Sequence, residues 1–183
     1  MKNQKGFTLV EIAIVLVIIG LLLGGVLKGQ ELISNAKIKS TQQNIQELSA
    51  ALYAYKDKTG YLPGDDPTAT NNPGDGDGTI DANERQPIYQ HLVNKGLIAG
   101  NYDGTTYLQH SFDDVVIIDE DGQIPGVCAR FDGLPQDVAE QLDRKLDDGV
   151  ANTGSVQVNG NGTSYTTNND VLFKIYWLTL FEP

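Results

Sequence analysis

The chain has 183 residues, with 13 Lys and Arg against 24 Asp and Glu, a formal net charge of -11, 40% hydrophobic residues, one Cys and two His. That length fits one ordinary domain with something added. A net acidic chain without basic clusters excludes a nucleic-acid surface, which needs Lys and Arg gathered on one face. One cysteine excludes an internal disulfide and a cysteine-rich zinc site, and two isolated histidines leave little for imidazole catalysis.

In chain order, Met1-Lys2-Asn3-Gln4-Lys5-Gly6 is a short basic leader, followed by the apolar run FTLVEIAIVLVIIGLLLGGVL from Phe7 to Leu27. As a helix this run covers about 30 Å, the thickness of a bilayer's hydrocarbon core. Its only charge is Glu11, and a carboxylate at such a depth costs roughly 2.5 to 3.5 kcal/mol, which marks it as functional. Residues 1 to 56 hold six Lys and three Glu, whereas residues 57 to 183 hold seven Lys or Arg and 21 Asp or Glu. Positive residues beside a membrane span stay on the cytoplasmic side, so the acidic remainder is expected across the membrane. A secretory signal cleaved near Gly24-Gly25 is the competing reading, and Glu11 counts against it.

The stretch Lys5-Gly6-Phe7-Thr8-Leu9-Val10-Glu11 resembles the processing motif of type IV pilins and type II secretion pseudopilins. The resemblance implies cleavage by a prepilin peptidase between Gly6 and Phe7 and N-methylation of Phe7. It also implies an inner-membrane stage and extraction by an assembly platform with its ATPase. Polymerisation with copies of itself and other pilins then gives an extracellular or periplasmic filament. In that family the carboxylate at the place of Glu11 is thought to neutralise a neighbour's terminal amine. Here that points to pairing with the Phe7 amine, since neither charge is tolerable alone in an apolar core.

The helix is expected to continue past the membrane. Ile38, Thr41, Ile45, Leu48, Leu52 and Tyr55 recur at three- and four-residue spacing, the mark of one buried stripe. Gly60 caps its end, with Pro63 just beyond. The result is one helix of about 50 residues, divided into a membrane or filament-core half at 7–28 and a soluble half at 29–59. Gly20, Gly24, Gly25 and Gly29 lower its propensity, or let helices pack closely. Residues 60–183 form the head.

Within the segment 72–84, Asp75–Glu84 match positions 3 to 12 of an EF-hand calcium loop. Asp75 and Asp77 supply alternating carboxylates, Gly78 the sharp turn and Thr79 a carbonyl. Ile80 points inward, and Asp81 and Glu84 take the last two ligand places. Pro73 stands where the first ligand belongs, so Asn72, Asp65 or Asp66 has to fill in. Structural calcium makes physical sense in a domain that has no disulfide. A solvated acidic turn is the competing reading.

Farther along, Pro87–Gly96 reads as a short helix in which His91 is a surface or packing residue. Val115–Ile118 reads as a buried strand and Cys128 as a buried strand residue. Pro135–Asp147 reads as a helix preceded by Asp132 or Gly133, with Val138, Leu142 and Leu146 on one face. Val156–Val158 and Ser164–Thr167 read as a hairpin around Asn159-Gly160-Asn161-Gly162. Val171–Leu180 reads as a buried terminal strand with Trp177 as a core anchor. The expected fold is α+β and pilin-like, a long N-terminal helix packed on a small antiparallel sheet. The expected function is that of a pilus-like filament subunit, with a type II secretion pseudopilin or a minor tip-located adhesive pilin as alternatives. An enzyme is not expected, because nothing assembles a catalytic set.

Overall fold

The computed structural model describes residues 8–120, 122–160, 162–166 and 169–176. Helix α1 spans Leu9–Thr59, 51 residues, and is unbroken through Gly20, Gly24, Gly25 and Gly29. The chain divides into two compact units, residues 1–37 and residues 38–183.

In the first unit the residues of α1 from Leu9 to Leu27 are exposed throughout, Leu9 at 91% and Leu21 at 72%. Such a surface is stable only when something apolar covers it.

The second unit takes in the rest of α1. Its buried positions are Ile38, Thr41, Ile45, Leu48, Ala51, Leu52 and Tyr55, the stripe expected from the spacing. The helix stops where Gly60 takes φ +85° and its amide donates to the Lys56 carbonyl at 2.8 Å. Only glycine enters that left-handed region without strain.

Helix α2 covers Pro87–Asn94. Strand β1 is Leu108–Gln109, β2 is Val115–Asp119 and β3 is Val127–Leu134. Helix α3 is Gln136–Leu146, β4 is Val156–Val158 and β5 is Asn169–Tyr176. The strands form one sheet in the order β1-β2-β3-β5-β4, antiparallel at every pairing. The core is shared by α1 and the sheet, with Leu48, Leu52 and Tyr55 in the same apolar cluster as Ala129, Phe131, Val171 and Phe173. Phe131 and Phe173 meet edge to face, ring centres 5.2 Å apart, a favoured aromatic geometry. Residues of opposite parity on β3 and β5, Cys128 and Leu172, join Ile124 in a second small cluster, so Cys128 is a buried strand residue as expected. This is the α+β, pilin-like arrangement.

Four expectations need correction. In β2, Val116 and Ile118 are buried but Val115 and Ile117 only half so, because the two faces of a strand alternate. Helix α3 does not follow Asp132 or Gly133 directly, since β3 runs on to Leu134 and Pro135 is the residue before the helix. Leu146 does not share the buried face of Val138 and Leu142. It is 38% exposed, because the core ends beneath the last turn of α3, where Asp143 turns inward instead. The hairpin partner of β4 is β5, with Val156 opposite Phe173 and Val158 opposite Val171. Ser164–Thr166 form no strand, and Tyr165 drops into the core to donate its hydroxyl to Asp143 Oδ2 at 2.9 Å. Trp177 and the end of the expected terminal strand lie outside the described residues.

Candidate cation site and the N-terminal segment

The loop after α1 is built around two adjacent carboxylates that face different ways. Asp66 is fully buried. Its Oδ2 accepts the Tyr55 hydroxyl at 2.8 Å and its Oδ1 accepts the amide and hydroxyl of Thr68 at 2.7 and 2.6 Å. Burial works to raise the Asp66 carboxyl, but the hydrogen bonds from Thr68 and Tyr55 outweigh it and hold the group below the ordinary value. The Asp66 carbonyl also accepts the Gly74 amide at 3.1 Å.

Asp65, 1% exposed, points the other way. Its Oδ1 accepts the Gly76 amide at 2.7 Å and its Oδ2 the Gly78 amide at 3.0 Å. One carboxylate oxygen each from Asp65, Asp75 and Asp77 lie within 4.8 Å of one another. Burial, reinforced by the charges of Asp77 and Asp75, raises the Asp65 carboxyl despite the two glycine amides. Of the three residues able to replace the ligand missing at Pro73, Asp65 is therefore the one beside Asp75 and Asp77. Asp66 is held by Tyr55 and Thr68, and Asn72 donates to Gln90 Oε1 at 3.0 Å.

The remaining loop residues are placed as follows. Thr79 donates its amide and hydroxyl to Asp77 Oδ1 at 2.8 and 2.7 Å. Ile80 is buried in the core. Glu84 is buried, and its two oxygens accept the Asp75 amide at 3.2 Å and the Asp81 amide at 3.0 Å. Asp81 is exposed. Neither Asp81 nor Glu84 stands in the carboxylate trio. Gly78, at φ +94°, makes the turn that the motif requires of glycine. An all-oxygen set of clustered carboxylates suits a hard cation of the calcium type and no soft metal.

His91 fastens this loop from α2. Its Nδ1 accepts the Gly64 amide at 2.9 Å, which leaves the proton on Nε2, facing the carbonyls of Asn71 and Asn72 at 2.8 and 3.1 Å. The ring is 2% exposed and stacks on Tyr55. It is the packing histidine of the sequence reading, with a positioning duty that only the fold reveals.

Sequence reasoning missed two features here. Glu120, just past β2, has its carboxyl raised by burial and by the charges of Asp119, Asp77, Asp65 and Asp81. No local motif announces it, since 36 residues separate it from Glu84 in sequence. A second carboxylate trio, Asp143, Asp147 and Asp148, was also not anticipated. Its members hold amides and hydroxyls, including those of Gly149, Tyr165, Val150 and Thr153.

At the start of α1, Thr8 and Glu11 form a reciprocal cap. The Thr8 amide and hydroxyl both donate to Glu11 Oε2 at 2.8 Å, and the Glu11 amide donates to Thr8 Oγ1 at 3.2 Å. This is the capping box that a Thr-x-x-Glu spacing encodes, a second reading of the same four letters. Gly6 and Phe7 lie outside the described residues.

Residues 1–27 match the family model of the prokaryotic N-terminal methylation motif. The chain carries the type IV pilin and pseudopilin signature. No curated protein and no solved structure matches it. The matched segment holds the leader and the exposed apolar half of α1, a helix long and apolar enough to cross a membrane. Motif and helix together support a type IV pilin-like or pseudopilin subunit, anchored in the membrane before assembly, and point to a structural protein.

Proposed function

We propose that this pilin-like chain is a structural subunit of a type IV pilus-like filament. Prepilin peptidase cuts between Gly6 and Phe7 and methylates the Phe7 amine. The subunit then waits in the inner membrane with its acidic head on the periplasmic side. Extraction by the assembly platform and its ATPase transfers the apolar half of α1 from lipid to a filament core. One observation carries the reading: the methylation motif leads directly into an apolar helix whose residues from Leu9 to Leu27 are exposed. Lipid or neighbouring subunits are the two covers that satisfy such a surface. Glu11 would exchange its capping bond to Thr8 for the amine of a neighbour, because a carboxylate in a dry core needs a positive partner.

The test is made in cells that carry the peptidase. Mass spectrometry of the mature chain is expected to find methylated Phe7 as its first residue, and a new terminus after Gly24 or Gly25 would overturn the processing reading. Glu11→Leu is expected to leave cleavage intact and remove the chain from sheared filaments. Filaments at wild-type level would overturn the pairing.

In the head, the loop at 72–84 is proposed to hold structural calcium, with Asp65, Asp75 and Asp77 as the core of the ligand set and Thr79, Asp81 and Glu84 as further donors. The ion would neutralise the clustered carboxylates and fix a loop that no disulfide secures. What supports this is the convergence of Asp65 on Asp75 and Asp77 from outside the motif. A melting temperature that rises with calcium and falls with a chelator is the expected result, and no response would overturn the site.

A further inference from the structure

Past the bilayer-length run, α1 still turns two large apolar residues to solvent, Leu32 at 60% and Ile33 at 61% exposure. They stand just beyond Leu27, about 8 Å farther along the helix, with Lys28, Gln30 and Glu31 in between. Hydrocarbon that covers Leu9 to Leu27 stops short of them. The head has an opening of matching character. A groove of about 510 Å³ is lined from α1 by Leu48, Ala51 and Ala54 and from the segment after α2 by Leu97 and Ile98. Alanines at 50, 51 and 54 keep that face of α1 low, and Leu97 and Ile98 are only partly buried against the core. Glu47, which is exposed, also borders the groove.

We infer that this groove seats Leu32 and Ile33 of a second copy of the chain, with Lys28 of that copy meeting Glu47. The inference rests on the filament reading and names a contact within it. Spacing and charge carry it together. Lys28 and Leu32 are four residues apart, as are Glu47 and Ala51, and residues so spaced share a helix face. Copies inserted in one membrane run parallel. A single shift of 19 residues brings Lys28 opposite Glu47 and Leu32 opposite Ala51, a displacement of about 28 Å. Opposite charges and apolar surfaces are thus matched in one register. Lys28 is able to change partners, because its 2.8 Å bond to Glu31 joins side chains that are 64% and 59% exposed, and such surface pairs hold weakly. Two copies still in the bilayer keep their apolar runs at the same height and cannot adopt the shift. The seat is therefore filled only after extraction, and the contact favours the filament over subunits waiting in the membrane.

The test uses the full chain in cells that carry the peptidase and the assembly machinery, and it is read on sheared filaments. Two differently tagged copies, one Leu32→Cys and one Ala50→Cys, are expressed together and treated with a short bis-maleimide. Cys128 is buried, and wild type gives the background. Cross-linked pairs that carry both tags are expected in excess over pairs of one variant with itself. Filaments that hold both variants without such an excess overturn the seat. Separately, Lys28→Glu and Glu47→Lys are each expected to lower filament yield about two- to fivefold, and the two together to restore it. Wild-type yield in both single variants, or no recovery in the double, also overturns the seat. A wild-type chain that builds no filament overturns the filament reading and this inference with it, whereas wild-type filaments with either failure above overturn this inference alone.

Discussion

The Tyr55 hydroxyl donates to Asp66 Oδ2 across 2.8 Å in the buried core, joining the last turns of α1 to the loop that carries the acidic cluster. Asp66 is one residue from Asp65, so this bond fixes the direction in which its neighbour's carboxylate leaves the chain. Burial and the Asp66 carboxylate together push the Tyr55 hydroxyl well above its ordinary range, and it remains a donor throughout the accessible pH range. Tyr55→Phe keeps the ring and removes the donor. A hydrogen bond to a charged group contributes about 1.5 to 3 kcal/mol, and a loss of that size is expected in denaturant melts of the full chain.

Gly74 is held by close approach. A Cβ there would run into the Cα of Asp65 and the carbonyl oxygen of Gly64, backbone that cannot give way without moving the Asp65 carboxylate. Gly78 has open space around it but sits at φ +94°. Gly74→Ala is therefore expected to cost about 1 to 3 kcal/mol and to blunt the calcium response. Gly78→Ala should cost roughly 1 to 2 kcal/mol through backbone strain. Melting curves with and without calcium separate the two.

The exposure difference along α3 gives a sharp contrast. Leu142 is 0% exposed and Leu146 38%. Leu142→Ala is expected to destabilise by about 2 to 5 kcal/mol, and Leu146→Ala to stay within about 0.5 kcal/mol. Equal losses would restore the face on which the two leucines line up.

His110 sets an acid limit on the head. Burial lowers its pKa although the Asp132 carbonyl and the charges of Asp114, Asp132 and Asp113 work the other way. Its Nδ1 accepts the Phe112 amide at 3.2 Å and its Nε2 faces the Asp132 carbonyl at 2.8 Å, a pattern for the neutral ring. The folded chain thus binds this proton less readily than the unfolded one. The stability it contributes is fully present above the ordinary imidazole value of 6.5 and is lost as pH falls below that value through the lower folded one. Between pH 7.5 and 5.5 the melting temperature of His110→Gln is expected to fall less than that of wild type. Parallel curves would refute the assignment.

What could be read from the letters was whatever depends on near neighbours. The buried stripe from Ile38 to Tyr55 and the stop at Gly60 follow from helical period and glycine's freedom at positive φ. The inward anchor Ile80 and the burial of Cys128 follow from local pattern. The hairpin partner of β4 is not legible in the letters, because Tyr165 leaves the strand path to reach Asp143, a contact no spacing reveals.

The sequence by itself determined the processing motif, the apolar helix and the acidic loop, because each is written in consecutive residues whose chemistry needs no distant partner. Only the tertiary structure decided that Asp65, and not Asp66 or Asn72, joins Asp75 and Asp77. It alone showed that His91 fastens the loop and that Arg85 pairs with Asp119 at the end of β2. Those choices depend on which side chains the core leaves room for and on charges that meet only after the chain has folded back across the sheet.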